Sequence, residues 1–87
     1  MPFSILLGPQ PTKFVKKLDD ETKERIKGKF LKLQDDPFPS EVERVEGYKG
    51  EKIFRVRAGD YRILYFVKYE IGQVYIAKID KRSRVYG

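Results

Sequence analysis

The sequence predicts a single α+β domain, in which an N-terminal strand and a helical hairpin pack on a mostly antiparallel sheet in the order β-α-α-β-β-β. Three observations lead to this prediction. The chain has 87 residues, the length of one domain, which we expect to span residues 1–87. Apolar side chains recur at helical spacing between residues 11 and 36. Three runs rich in β-branched and aromatic residues then fill most of residues 52–79.

The N-terminal part of the chain predicts a strand and a short helix. The apolar run 2–7 ends at Gly8-Pro9, as a strand before a turn would. A short helix follows the prolines, because Phe14 and Leu18 lie four residues apart and so share one helical face.

The second helix has a clearer signal. Asp19 or Asp20 can cap its N-terminus, and the segment 35–39, which contains two prolines, ends it. Its apolar stripe falls at i, i+4 and i+7 and consists of Ile26, Phe30 and Leu33. The short link between the two helices favours an antiparallel hairpin.

The C-terminal half predicts an antiparallel meander with short turns between its strands. The three predicted strands cover residues 52–57, 61–69 and 73–79. We expect residues 37–51 to be a loop or a weak element that ends in a turn at Gly47-Tyr48-Lys49-Gly50. The tail, residues 81–86, could add a short edge strand.

Composition excludes several kinds of chemistry. The chain has no cysteine and no histidine, so disulfides, thiol nucleophiles and Ser-His pairs are excluded. The acidic runs 19–21 and 35–36 lie at helix ends, where capping explains them, and we expect neither a metal nor a cofactor. No apolar run approaches the length of a membrane span, and the N-terminus lacks the basic segment of a signal peptide. We therefore expect a cytoplasmic protein.

The positive charge is concentrated in one part of the chain. The net charge is +6, and all of this excess lies in residues 52–87, since residues 1–51 carry ten basic and ten acidic side chains. A basic region on a small domain predicts nucleic acid or an acidic protein as a partner. A merely solubilising surface is the alternative.

Arginines cluster around the first turn of the predicted meander. Arg55 and Arg57 share a strand face, and Arg62 begins the next strand. If Arg55 and Arg62 lie on the open face of the sheet, their like charges repel unless an anion such as phosphate lies between them. The alternatives are simple exposure or ion pairs, with Asp60, Asp80 or Glu51 as the acidic partners.

Two segments carry a resemblance to a known family. Residues 54–65, Phe-Arg-Val-Arg-Ala-Gly-Asp-Tyr-Arg-Ile-Leu-Tyr, resemble one motif of the RelE-type toxins of bacterial and archaeal toxin–antitoxin systems, within the RelE/ParE superfamily. Residues 79–86, Ile-Asp-Lys-Arg-Ser-Arg-Val-Tyr, resemble a second motif of the same family. The resemblance covers nearly the whole chain. A charge-rich composition without asparagine favours an archaeal or thermophilic member.

The resemblance implies a ribosome-dependent endoribonuclease, an mRNA interferase. Such toxins cleave mRNA in the ribosomal A site with the 2′-OH of the RNA as nucleophile and without a metal, which inhibits translation. The implied partners are a RelB-like antitoxin, mRNA, and the ribosome with its RNA, and the toxin–antitoxin complex can be a heterotetramer.

The resemblance also implies roles for individual residues. Arg62 and Arg82 would hold the phosphate and stabilise its developing charge. Tyr86 would stack on a base or share in proton transfer, and Arg55 stands at a basic strand position of the family. Lys81 stands where many members have histidine and could replace it as the base. The other expected RNA-binding residues are Arg57, Lys52 and Arg84.

One departure from the family affects the acid–base chemistry. Well-studied members have two lysines two residues apart on the first meander strand, where this chain has Ile53 and Arg55. Arginine remains protonated at neutral pH and is a poor general base. Two alternatives stay open: a ParE-like toxin that acts on DNA gyrase without cleaving RNA, and an inactive homologue that only binds an antitoxin.

Overall fold

A computed structural model describes residues 3–40, 42–48 and 51–81. The elements follow in the order β1 (Ser4–Leu7), α1 (Pro9–Lys16), α2 (Asp20–Asp35), β2 (Glu43–Tyr48), β3 (Glu51–Ala58), β4 (Tyr61–Lys68), a 3₁₀ turn (Tyr69–Ile71) and β5 (Gln73–Lys81). The sheet has the strand order β1-β5-β4-β3-β2. β1 runs parallel to β5 and the other described strand pairs are antiparallel, so the sheet is mostly antiparallel, as predicted.

Within residues 37–51, which we expected to be a loop or a weak element, Glu43–Tyr48 form an additional strand, β2, at the edge of the sheet. Val45 lies opposite Ile53 of β3, and the register shifts between Val45 and Tyr48. This edge strand contains few apolar side chains and is interrupted by a bulge, so it lacks the alternation that indicates a strand. Gly47 and Tyr48, predicted to be in a turn, belong to this strand, while residues 49 and 50 lie outside the described part.

Both helices pack on one face of the sheet. Ile26 and Leu33 of α2 are buried there, as the predicted stripe requires, and Phe14, Leu18 and Phe30 pack around them half-buried. The strands contribute the rest of the buried core: Val56, Ala58, Ile63, Tyr65, Val74, Ile76 and Ile79. Burying one such aliphatic side chain stabilises the fold by about 1.5–3 kcal/mol.

The N-terminus of α2 is capped as predicted. Asp19 is the N-cap residue, and its carbonyl accepts the first helical hydrogen bond from the Lys23 amide at 3.0 Å. The Asp19 carboxylate makes no side-chain capping hydrogen bond, but the Thr22 side chain lies close enough to stabilise its charged form. The Thr22 side chain is the largest cause that holds the pKa of Asp19 below its ordinary value.

Two features of β5 position its C-terminal end. Its pairing with β4 shifts by one residue at Ala77, between the pairs Tyr65–Ile76 and Leu64–Lys78. Its pairing with β1 ends at Ile76. Beyond that point the side-chain amide of Gln10, in α1, replaces the missing strand. Its Nε2 donates to the Ile79 carbonyl and its Oε1 accepts from the Ile79 amide, both at 2.8 Å.

Candidate functional site

The sheet face opposite the helices carries three of the predicted arginines. Residues paired across a sheet share a face, so the registers define two neighbouring rows of side chains. One row runs Glu43, Arg55, Leu64, Lys78, and the next runs Arg57, Arg62, Asp80. We call the charged residues of these rows the arginine face: Glu43, Arg55, Arg57, Arg62, Lys78 and Asp80.

Arg55 is half-buried and ion-paired across the sheet. Its Nη2 lies 3.2 Å from Oε1 of Glu43, and its side chain is 24% exposed to solvent. Its Nε is buried and has no hydrogen-bond partner among the described residues. An unsatisfied buried donor is costly. The Arg55 side chain still reaches solvent, so an anion would hydrogen-bond its guanidinium from that side. Glu43 was not among the acidic partners expected from the sequence, because β2 itself was not predicted.

Arg57 and Arg62 are direct cross-strand partners. Arg57 is exposed, whereas Arg62 is only 2% exposed, a burial that the sequence did not indicate. Asp80 flanks Arg62 on its other side, in β5. Two guanidiniums directly opposite one another repel, and a buried one also needs compensating contacts. Their juxtaposition raises the positive potential of this end of the sheet.

Lys78 joins the arginine face, and sequence analysis missed it. Side chains along a strand alternate between the two faces of the sheet. Since Val74 and Ile76 are buried on the helix-covered face, alternation alone would place Lys78 there as well. The bulge at Ala77 reverses this parity and places Lys78 with Asp80, whose Oδ2 lies 4.0 Å from its Nζ. A bulge of this kind leaves no signature in the strand composition, so no sequence signal could have found it.

Lys52 and Lys81 lie away from this cluster. Alternation along β3 sets Lys52 on the face opposite Arg55. Lys81 pairs with Tyr61 and alternates with Asp80, so it also faces the helix side, and it is exposed. This placement separates Lys81 from the arginine face.

Three predicted site residues, Arg82, Arg84 and Tyr86, lie outside the described residues. The chain leads into them directly from Lys81, at the end of β5 where Asp80 lies beside Arg62. Gln10 holds the backbone of this strand end at Ile79, which makes it a positioning residue that sequence reasoning missed.

Residues 3–40, 42–48 and 51–81 contain neither a metal-site cluster nor a membrane-spanning helix. No group of three or more acidic side chains comes together there as a metal site would need. No helix in these segments is long and apolar enough to cross a membrane.

Comparison with known proteins gives consistent results. The family described as the ParE toxin of type II toxin–antitoxin systems matches residues 5–86. The RelE1 protein of Methanocaldococcus jannaschii is 28% identical over 87 residues, which cover 99% of this chain and 97% of that protein.

Solved structures show the same fold. A chain of the archaeal RelE–RelB complex from Pyrococcus horikoshii superposes with a TM-score of 0.82 at 28% identity, covering 97% of this chain and 99% of that one. The isolated Escherichia coli RelE toxin gives a TM-score of 0.72 at 23% identity, with coverages of 97% and 90%, and so supports the fold alone. The chain therefore belongs to the ParE toxin family of type II toxin–antitoxin systems and is a RelE-like toxin.

Proposed function

We propose that this toxin is a ribosome-dependent endoribonuclease that cleaves mRNA in the A site and thereby inhibits translation in the cytoplasm. The observation that carries the proposal is the cross-strand opposition of Arg57 and Arg62 on a face that also holds Arg55. Such a cluster matches a phosphodiester, because arginines hold phosphate oxygens in bidentate geometry.

The proposed reaction uses the RNA itself as nucleophile. The 2′-oxygen attacks the adjacent phosphorus, the O2′–P bond forms, and the P–O5′ bond breaks, which leaves a 2′,3′-cyclic phosphate and a 5′-hydroxyl. The 2′-OH gives its proton to a base, and the departing 5′-oxygen receives one from an acid. The phosphorus centre gains negative charge on the way, so fixed cations beside it lower the barrier.

The described arginines would supply this charge in two ways. Arg55 and Arg57 reach solvent and would hydrogen-bond the non-bridging oxygens directly. Arg62 is buried and would act mainly through its field, which is stronger where water is excluded. Arg82 and Tyr86 would complete the site from the C-terminal segment, as phosphate ligand and as base-stacking or proton-transferring group, with Arg84 contacting the RNA backbone.

For the general base, the arginine face offers a carboxylate in place of lysine. Glu43 is 56% exposed and lies 3.2 Å from Arg55, so it would sit beside a phosphate held by that arginine. Lys81 faces the other way, as does Lys52, which would contact RNA outside the reacting centre. We therefore favour Glu43 over Lys81 as the acceptor of the 2′-OH proton.

A RelB-like antitoxin is the proposed protein partner. Relatives of similar fold have been solved in complexes named RelE–RelB or RelBE, from Pyrococcus horikoshii and Mycobacterium tuberculosis. A partner that neutralises the arginine face should be acidic there, since complementary charge speeds association and selects the partner. Two toxins and two antitoxins could then form a heterotetramer.

The decisive experiment maps the 5′ ends of mRNA after brief induction of the toxin in growing cells, and repeats the mapping in a purified translation system. New 5′-hydroxyl ends within codons, present only when ribosomes are added, are the expected result. Growth arrest with intact mRNA and broken DNA would instead support the ParE-like alternative, which the matching family's description keeps open. Normal growth without antitoxin would point to the inactive homologue.

A further inference from the structure

A basic cleft lies on the helix side of the molecule, between α2 and the turn that joins β3 to β4. Its volume is about 330 Å³. Four cationic residues line it against one acidic residue, Glu24; the cationic residues are Arg25, Lys29, Lys32 and Arg57. Arg57 belongs to the arginine face as well, so the two basic surfaces meet at the end of β3.

Gly28 lies midway along α2 and lines this cleft. Glycine there destabilises the helix relative to alanine. A Cβ at this position would meet no atom within 4 Å, so packing within the chain does not require glycine. A ligand that approaches the helix backbone closely would explain its presence.

Gly59 forms the opposite wall, with a left-handed φ of 63°. The Arg25 side chain lies over this turn, and a Cβ on Gly59 would come within 2.9 Å of its Nη1. The glycine thus lets a guanidinium from α2 rest against the β3–β4 turn. Arg25 makes a long ion pair with Glu21, at 3.7 Å, and remains half exposed, so its charge reaches the mouth of the cleft.

We propose that this cleft binds the phosphate backbone of folded, double-stranded RNA, as a second RNA contact that continues the arginine face around the β3–β4 turn. The inference rests on the proposed action on RNA and adds where a structured segment would lie. The cleft lining is cationic and contains no aromatic side chain, which suits backbone phosphates and gives unpaired bases nothing to stack on. The missing side chain at Gly28 leaves room for the sugar–phosphate chain.

The test separates packing from binding. The probe is an RNA hairpin with a stem of about 16 base pairs, the length that double-stranded-RNA-binding domains span, and binding is measured by fluorescence anisotropy at several salt concentrations. Gly28→Gln should raise Tm or leave it unchanged, because glutamine is a good helix former, yet weaken binding about tenfold. Arg25→Gln should lower the slope of log K against log salt by about one, as loss of one phosphate contact does.

Lys13→Gln is the matched control, because it removes one positive charge from the exposed surface of α1, outside the cleft. It should leave the slope nearly unchanged. The proposal is overturned if Gly28→Gln binds the hairpin like the original chain, or if Lys13→Gln loses as much slope as Arg25→Gln. It is likewise overturned if Gly28→Gln weakens only the binding of an acidic antitoxin. Cleavage of mRNA by the unmutated toxin is scored separately, so failure of the nuclease proposal shows as absent cleavage with hairpin binding still measured.

Discussion

Arg62 and Ile63 are consecutive residues of β4, almost equally buried at 2% and 0% exposure, yet they face opposite sides of the sheet. Ile63 lies under the helices among apolar neighbours, where burial is favourable. Arg62 lies on the arginine face opposite Arg57, where burial of a charge is costly. One strand therefore serves stability on one face and, in the proposed function, catalysis on the other.

Ile63→Ala should have the largest effect on stability. Removing a fully buried isoleucine costs about 2–5 kcal/mol, a large part of the 5–15 kcal/mol that holds a typical domain folded. Thermal and denaturant unfolding would measure the loss. The cleavage rate per folded molecule should stay within a few-fold of the original value. A strong loss of cleavage rate per folded molecule in Ile63→Ala would show that the helix-covered face also contributes to catalysis, and that the two faces do not have separate roles.

Arg62→Met should show the converse behaviour. Methionine fills a similar volume without the charge, so the cost to stability should be well below that of Ile63→Ala. Loss of a fixed cation beside the phosphorus should lower mRNA cleavage about 10²–10³-fold. A matched set of primer-extension time courses and melting curves on the two variants checks this. Equal toxicity of Arg62→Met and the original chain would exclude Arg62 from the site. Arg82→Ala tests, in the same assay, the other arginine proposed to stabilise the phosphate.

Glu43→Gln tests the assignment of the general base. The amide keeps the size of the side chain but cannot accept the proton, so single-turnover cleavage should fall about 100-fold. RNA affinity should stay the same or increase, because a negative charge is removed beside Arg55. Lys81→Gln is the companion variant. A larger loss of cleavage in Lys81→Gln than in Glu43→Gln would identify Lys81 as the general base, the alternative that follows from the family resemblance.

The same two faces show what could be predicted from the sequence. The helix-covered face follows from apolar periodicity, and its α2 stripe, its three meander strands and the turn at Gly59 were confirmed. The arginine face depends on features without such periodicity. Only the pairing of β2 with β3 shows that Glu43 meets Arg55, and only the bulge at Ala77 shows that Lys78 lies on this face.

Gln10 shows a third kind of limit. Its two hydrogen bonds to Ile79 join residues that are 69 positions apart in the chain. They exist because β1 stops pairing at Ile76 and leaves the next backbone groups of β5 without a strand neighbour. Nothing in the local sequence of α1 distinguishes this glutamine from an ordinary exposed polar residue, so long-range geometry alone reveals its role.

Gln10→Ala should therefore cost more than a surface substitution. It leaves the amide and the carbonyl of Ile79 without their partner, which costs about 1–3 kcal/mol for part-buried groups. Gln10→Glu keeps the acceptor but loses the donor and should be intermediate. Denaturant midpoints give the stability, and amide hydrogen exchange at Ile79 gives the local effect. Unchanged exchange at Ile79 in the alanine variant would show that Gln10 does not hold this end of β5.

The smallest predicted effect lies on neither face, at the N-terminus of α2. The Thr22 side chain is the largest cause that holds the pKa of Asp19 below its ordinary value of 3.8, against an opposing effect of desolvation. The backbone groups of Asp19 and Thr22 and the charge of Arg25 lower this pKa further by smaller amounts. A carboxyl whose pKa is lower in the folded chain stabilises the fold above its unfolded pKa and loses that contribution as pH falls through the folded pKa.

Asp19→Asn should make the decline in stability slightly shallower as the pH falls through and below 3.8, and leave the cleavage rate at neutral pH unchanged. Thr22→Val should flatten it in part, since it removes the largest single cause of the lowered pKa. Denaturant midpoints across this pH range measure both variants. A decline that keeps its full slope in Asp19→Asn would show that this carboxyl contributes nothing to the acid sensitivity of the fold.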